Sequence, residues 1–99
     1  MEDIRRRKTY TCKGLGRDVE LVELSYKAQS LLIDCYSNGR PSDSGPIMVR
    51  YGVTEFRDIS EEDIAEMLTL PIVVELSEAV GEFSGIGEDE EKKSESAQT

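Results

Sequence analysis

The chain predicts an α+β fold: an N-terminal β-hairpin, a small bundle of three to four α-helices behind it, and a disordered acidic C-terminal tail. Three observations carry this. Apolar residues alternate with a period of two ahead of Leu24, recur at helical spacing after it, and give way beyond Ile86 to charged and small polar residues. The organisation that follows is a flexible basic arm over 1–7, one globular domain over 8–85 and the tail over 86–99.

In TYTCK, Tyr10 and Cys12 alternate with Thr9, Thr11 and Lys13, as in a half-exposed strand. GLGRD supplies turn residues, and DVELVEL over 18–24 is rich in β-branched and apolar side chains. A hairpin over about residues 8 to 24 accounts for both. Gly14-Leu15-Gly16 is not a phosphate loop, because no third glycine stands at the fingerprint position and a strand rather than a helix follows.

From Ser25 the period lengthens. Leu24, Ala28, Leu31, Leu32, Cys35 and Tyr36 share one helical face, with Ser25 as N-cap and Asn38-Gly39 as the left-handed stop. Ile33 lies off that face, as a second contact within the domain or an exposed contact for a partner. SNGRPSDSGP over 37–46 reads as a loop. PIMVRYG over 46–52 fits a helix begun by Pro46 and ended by Gly52, or a strand alternating Ile47, Val49 and Tyr51; the helix is the preferred reading.

FRDISEEDIAEML carries the clearest local signal. Ser60 is an N-cap with Asp63 three residues on, Ile59 and Ile64 occupy the hydrophobic-staple positions, and Glu61, Glu62 and Asp63 complement the helix dipole. The last helix begins near Thr69 or Leu70, with Pro71 in its first turn. Ile72, Val73, Leu76, Ala79, Val80 and Phe83 form its buried stripe, Glu75, Glu78 and Glu82 its wet face, and Gly85 its C-cap. Gly81 costs that helix up to about 1 kcal/mol relative to alanine, which points to close packing or a tolerated weakness. Val74 lies off the stripe. Beyond Ile86 the tail holds too little apolar surface to offset the entropy of ordering.

The formal charge of −9 is unevenly spread: +4 over 1–17, −3 over 86–99 and therefore −10 over 18–85. An acidic body repels phosphate backbones, so nucleic acid is not an expected partner. No apolar run is long enough for a membrane span, and the N-terminal charges are not followed by the apolar stretch of a signal peptide, so a cytosolic protein is expected. There is no histidine, hence neither the usual general base nor the commonest metal ligand. Cys12 and Cys35 read as reduced, half-buried small hydrophobes, with a disulfide between them as the alternative. Neither cysteine has a base and an orienting group beside it in sequence. No catalytic, cofactor-binding or metal-binding residue is assigned, and the chain does not read as an enzyme.

Four short pieces resemble the small tail assembly chaperones of long-tailed bacteriophages: Val22-Glu23-Leu24-Ser25, Gly52-Val53, Asp58-Ile59-Ser60 and Glu82-Phe83-Ser84-Gly85. The likeness runs over about residues 14 to 93, and Phe83 stands where the family pattern has leucine. The resemblance implies an assembly role. Such proteins bind and solubilise the long tape measure protein, help recruit tail tube subunits, act in the host cytoplasm as multi-copy or homo-oligomeric assemblies, and are absent from the mature virion. In that family a ribosomal frameshift near the end of the shorter product often adds a second domain, and Glu91-Lys92-Lys93 permits a slippery A-rich coding run. The competing readings are an acidic inhibitor that mimics DNA and a head–tail connector. Under the chaperone reading the binding residues should be apolar side chains that the fold does not need, which singles out Ile33 and Val74.

Overall fold

Two six-residue strands that alternate inward and outward side chains need a turn between them and something apolar behind them. A computed structural model, describing residues 4–85, supplies both. Strand β1 (Arg7–Cys12) pairs antiparallel with β2 (Arg17–Val22), in register from Arg7 opposite Val22 to Cys12 opposite Arg17. The Gly16 N–H closes the connection by donating to the Cys12 carbonyl at 2.9 Å. Cys12, Val19 and Leu21 face inward and are buried. The sheet has two strands, and an isolated bridge from Leu21 to Val53 extends its β2 edge.

Four helices follow: α1 (Tyr26–Ser37), α2 (Ser44–Gly52), α3 (Glu61–Met67) and α4 (Leu70–Phe83), with single 3-10 turns at Pro41–Asp43 and Thr54–Phe56. Over the described residues the fold is therefore α+β, a hairpin followed by four helices. Residues 46–52 are helical, and the helix begins two residues earlier, at Ser44. The caps are local and use the chemistry their sequences offer. The Ser25 hydroxyl accepts from the Ala28 N–H and the Ser60 hydroxyl from the Asp63 N–H, each worth about 1 kcal/mol. Gly39 and Gly85, at φ of +70° and +74°, take the left-handed turns that end α1 and α4.

The core forms where α4 crosses the hairpin and α2. Leu76 and Val80 of α4 meet Val49 of α2, Leu21 of β2, and Val53, Phe56 and Ile64 from the second half of the chain. Leu24, Ala28 and Leu32 bring α1 into the same cluster. Two glycines set how near α2 and α4 lie. A Cβ on Gly52 would fall 2.3 Å from Val80 Cγ1, and one on Gly45 would fall 2.7 Å from Val73 Cγ1. Gly52 thus ends α2 and also admits Val80. Gly81 has a different setting: its Cβ would meet only the Met48 Cε, at 3.1 Å.

Three expected placements are corrected. Tyr36 is 59 % exposed rather than buried, because the covered arc of α1 narrows to Leu24, Ala28, Leu32 and Cys35, and Tyr36 lies on its flank. Glu75 does not belong to a wet face: it accepts hydrogen bonds from the Tyr10 hydroxyl and from the Lys13 and Gly14 N–H groups. Cys12 and Cys35 are fully buried rather than half-buried, and both are free thiols. The basic run expected as an arm over 1–7 is tied to the body from Arg5 onward. Arg5 Nη1 donates to the Glu23 carbonyl, Arg6 pairs with the Glu23 carboxylate, and Arg7 already belongs to β1. Residues 1–3 and the expected tail, 86–99, lie outside the described residues. Among the described residues no helix is long and apolar enough to cross a membrane.

Candidate functional site

Helix α1 advances about 100° per residue, so Tyr26 and Ile33 stand one above the other two turns apart, and Tyr36 follows on the adjoining strip. All three are exposed, Tyr26 at 88 % and Ile33 at 64 %. The Ser25 cap fixes one end of this ridge. The Tyr36 hydroxyl reaches Ser44 Oγ at 3.4 Å at the other, against the first residue of α2. Ile33 is therefore an exposed residue and not a second internal contact.

A second ridge forms where α3 turns into α4. Leu70 and Val74 are one turn apart on the face of α4 that points away from the hairpin, 76 % and 44 % exposed, and Met67 at the end of α3 adds a third exposed apolar side chain. Pro71 sits in the first turn of α4, where its missing N–H breaks no helical bond, so the corner is stiff without a side-chain cap at Thr69. Both residues selected from sequence, Ile33 and Val74, are exposed, and each sits within a wider ridge. Tyr26, Tyr36, Met67 and Leu70 were not selected from sequence. Tyr26 is seven residues before Ile33 and Leu70 four before Val74, so helical spacing alone could have found those two.

The ridges are held by a body whose polar contacts converge on α4. Glu75 bonds across to the hairpin turn, Oε2 accepting from the Tyr10 hydroxyl at 2.8 Å and the Lys13 N–H at 2.7 Å, and Oε1 from the Gly14 N–H at 2.9 Å. The two backbone N–H donors, then Tyr10, hold the carboxylate at about 2, and the same bond pushes the Tyr10 hydroxyl up to about 12. At the far end of α4, Arg6 Cζ and Lys8 Nζ lie 5.2 Å and 5.9 Å from the Phe83 ring centroid, and the Ser84 hydroxyl accepts from the Leu24 N–H at 3.0 Å. Glu23 lies below the usual carboxylate range chiefly through its side-chain hydrogen bond with Arg6. The Arg17 guanidinium forks onto Glu55, which is lowered for the same reason.

A cleft of about 470 Å³ lies among α1, α2 and α3, and Asp34, Asp43, Glu61, Glu62 and Arg40 are among its lining residues. Among the described residues no three side chains of metal-ligating type are grouped closely enough to hold an ion. Glu61, Glu62 and Asp63 fill the first turn of α3, and Glu61 pairs with Arg50. Comparison with protein families, with curated proteins and with solved structures finds no match to the chain.

Proposed function

We propose that the chain is a tail assembly chaperone of the long-tailed phage type, which coats the amphipathic helical tape measure protein and keeps it soluble until tail tube subunits arrive. The observation that carries the reading is the pair of exposed apolar ridges, Tyr26-Ile33-Tyr36 and Met67-Leu70-Val74. A helix with an apolar stripe buries that stripe best against side chains projecting at the same spacing from a rigid helix. Each ridge is short, so affinity per copy is modest. Many copies along one rod supply avidity, and the weakness of each contact permits release. The resemblance of the four short sequence pieces supports the same reading. On it, the protein works in the host cytoplasm, self-associates on its cargo, and is left out of the finished virion.

The test is co-expression with the long helical protein encoded beside it, followed by pull-down and sizing. A soluble complex with many copies per rod is the expected result; a rod that stays insoluble and unbound overturns the reading. Ile33→Asp and Val74→Asp should each weaken that complex while changing stability by less than about 0.5 kcal/mol, since neither is in the core. Salt-sensitive capture of a basic DNA-binding protein instead would favour the acidic inhibitor, and recovery in purified particles would favour a connector.

A further inference from the structure

A second cleft, about 360 Å³, opens where the start of β1, the end of β2, the start of α1 and the end of α2 meet. Five cationic side chains line it, Arg5, Arg7, Lys27, Arg50 and Arg57, and no acid is among its described lining residues. Glu20 and Glu61 pair with Arg7 and Arg50 from outside the lining, so in this chain of formal charge −9 the positive charge offered to the cleft rests chiefly on Lys27 and Arg57. We propose that this cleft binds a small polyphosphate anion, such as pyrophosphate or the polyphosphate of a nucleotide.

The lining is prepared for such an anion in three ways. First, the guanidinium groups are positioned. Arg7 pairs with Glu20 at 3.0 Å, Arg5 Nη1 donates to the Glu23 carbonyl, and Arg50 is held between Glu61 and the Arg57 carbonyl. These tethers approach from outside the cleft, since neither Glu20, Glu23 nor Glu61 lines it. Second, Lys27 and Arg57 have no side-chain partner among the described residues, which leaves their donors for a ligand. Third, Ser25, Tyr51 and Thr54 add hydroxyls, and the first turn of α1, which begins at the cleft, contains no acidic residue to neutralise its dipole. Arginine forks with hydroxyl donors suit a group with several terminal oxygens.

Size and field favour a small anion over a polymer. A nucleic acid strand long enough to gain from counterion release would run onto a body of −10 charge, whereas a compact polyphosphate meets only the cleft. Carboxylates offer lower charge density to the same donors. The site is independent of the apolar ridges and does not rest on the chaperone reading.

Titration calorimetry and thermal unfolding of the full chain test it, using pyrophosphate, hexaglutamate and a short single-stranded oligonucleotide, each against sodium chloride of equal ionic strength. Pyrophosphate should bind and raise Tm. The double variant Lys27→Ala/Arg57→Ala should keep its ligand-free Tm and lose about tenfold in affinity per cation removed. Three results overturn the proposal: no binding beyond the chloride control, equal binding by the double variant, or binding of hexaglutamate or the oligonucleotide at least as tight as that of pyrophosphate. Should the double variant unfold, the single variants Lys27→Gln and Arg57→Gln decide by the same readout.

Discussion

Helix α4 is held on two sides by different physics. Toward α2 the contact is dry and steric: Gly45 and Gly52, seven residues apart, receive Val73 and Val80, also seven apart, with no polar group except the Ser77 hydroxyl near the Gly45 carbonyl. Toward the hairpin, apolar contact of Leu76 with Leu21 and a close approach of Gly14 to Ile72 are joined by directional polar bonds, from the turn to Glu75 and from Arg6 to the Phe83 carbonyl. Close packing fixes a distance, because any added atom must displace others. Hydrogen bonds to a carboxylate fix an orientation, and they are strongest while the carboxylate is charged. The first contact should therefore respond to volume and hardly to pH, the second to charge and pH as well as to volume.

The largest effect should come from Gly52→Ala. Overpacking against Val80 costs up to about 3 kcal/mol, and the gain in helix propensity offsets at most about 1, so a net loss near 2 is expected by denaturant unfolding. Pairing it with Val80→Ala should recover part of the loss, and additive losses would show that the glycine is not there for Val80. Gly81→Ala sharpens the contrast, since its Cβ meets only the flexible end of Met48. Here propensity prevails, and a gain of about 0.5–1 kcal/mol is expected. A loss as large as that at Gly52 would erase the distinction between the two positions.

Glu75→Gln keeps the shape of the side chain and removes its charge, and should lower Tm by a smaller amount than Gly52→Ala. Its signature is pH. A carboxylate held at about 2 in the fold, against 4.5 ordinarily, contributes stability that is fully present above pH 4.5 and lost as pH falls through about 2. The hydroxyl of Tyr10, raised from 10 to about 12, contributes stability present below pH 10 and lost as pH rises through about 12. Between pH 5 and pH 2 the variant should show a flatter loss than the parent; parallel curves would remove Glu75 from the account. The smallest effect should be that of Arg6→Ala, whose ion pair with Glu23 is exposed and screened. A small fall in Tm is expected, from loss of this pair and of the contacts with the Phe83 ring and carbonyl, and more visible at low salt than at high.

Local signals were legible in the sequence because local chemistry makes them. Alternation in TYTCK produced β1, Ser25 and Ser60 became caps, Pro71 entered the first turn of α4, and Gly39 and Gly85 stopped their helices. Residues 46–52 lay at the edge of legibility. Their seven residues satisfy both periods, and the helix prevails because Gly45, Gly52 and Val49 then face α4 together, an advantage absent from the segment itself.

The polar and steric partners across the fold belong to the tertiary structure. Glu75 had the spacing of a solvated residue, and only the position of the hairpin turn made it an acceptor for two backbone N–H groups 61 and 62 residues away. Tyr36 had the spacing of a core residue, and only the narrow coverage of α1 left it on an exposed ridge with Ile33 and Tyr26. Arg57 and Arg5 are far apart in the chain, yet share one cleft. By itself the sequence determined the elements and their ends, since period, caps and turn residues act within a few residues. Which faces meet, which stay bare and which charges converge depends on contacts between segments whose separation along the chain carries no periodic trace.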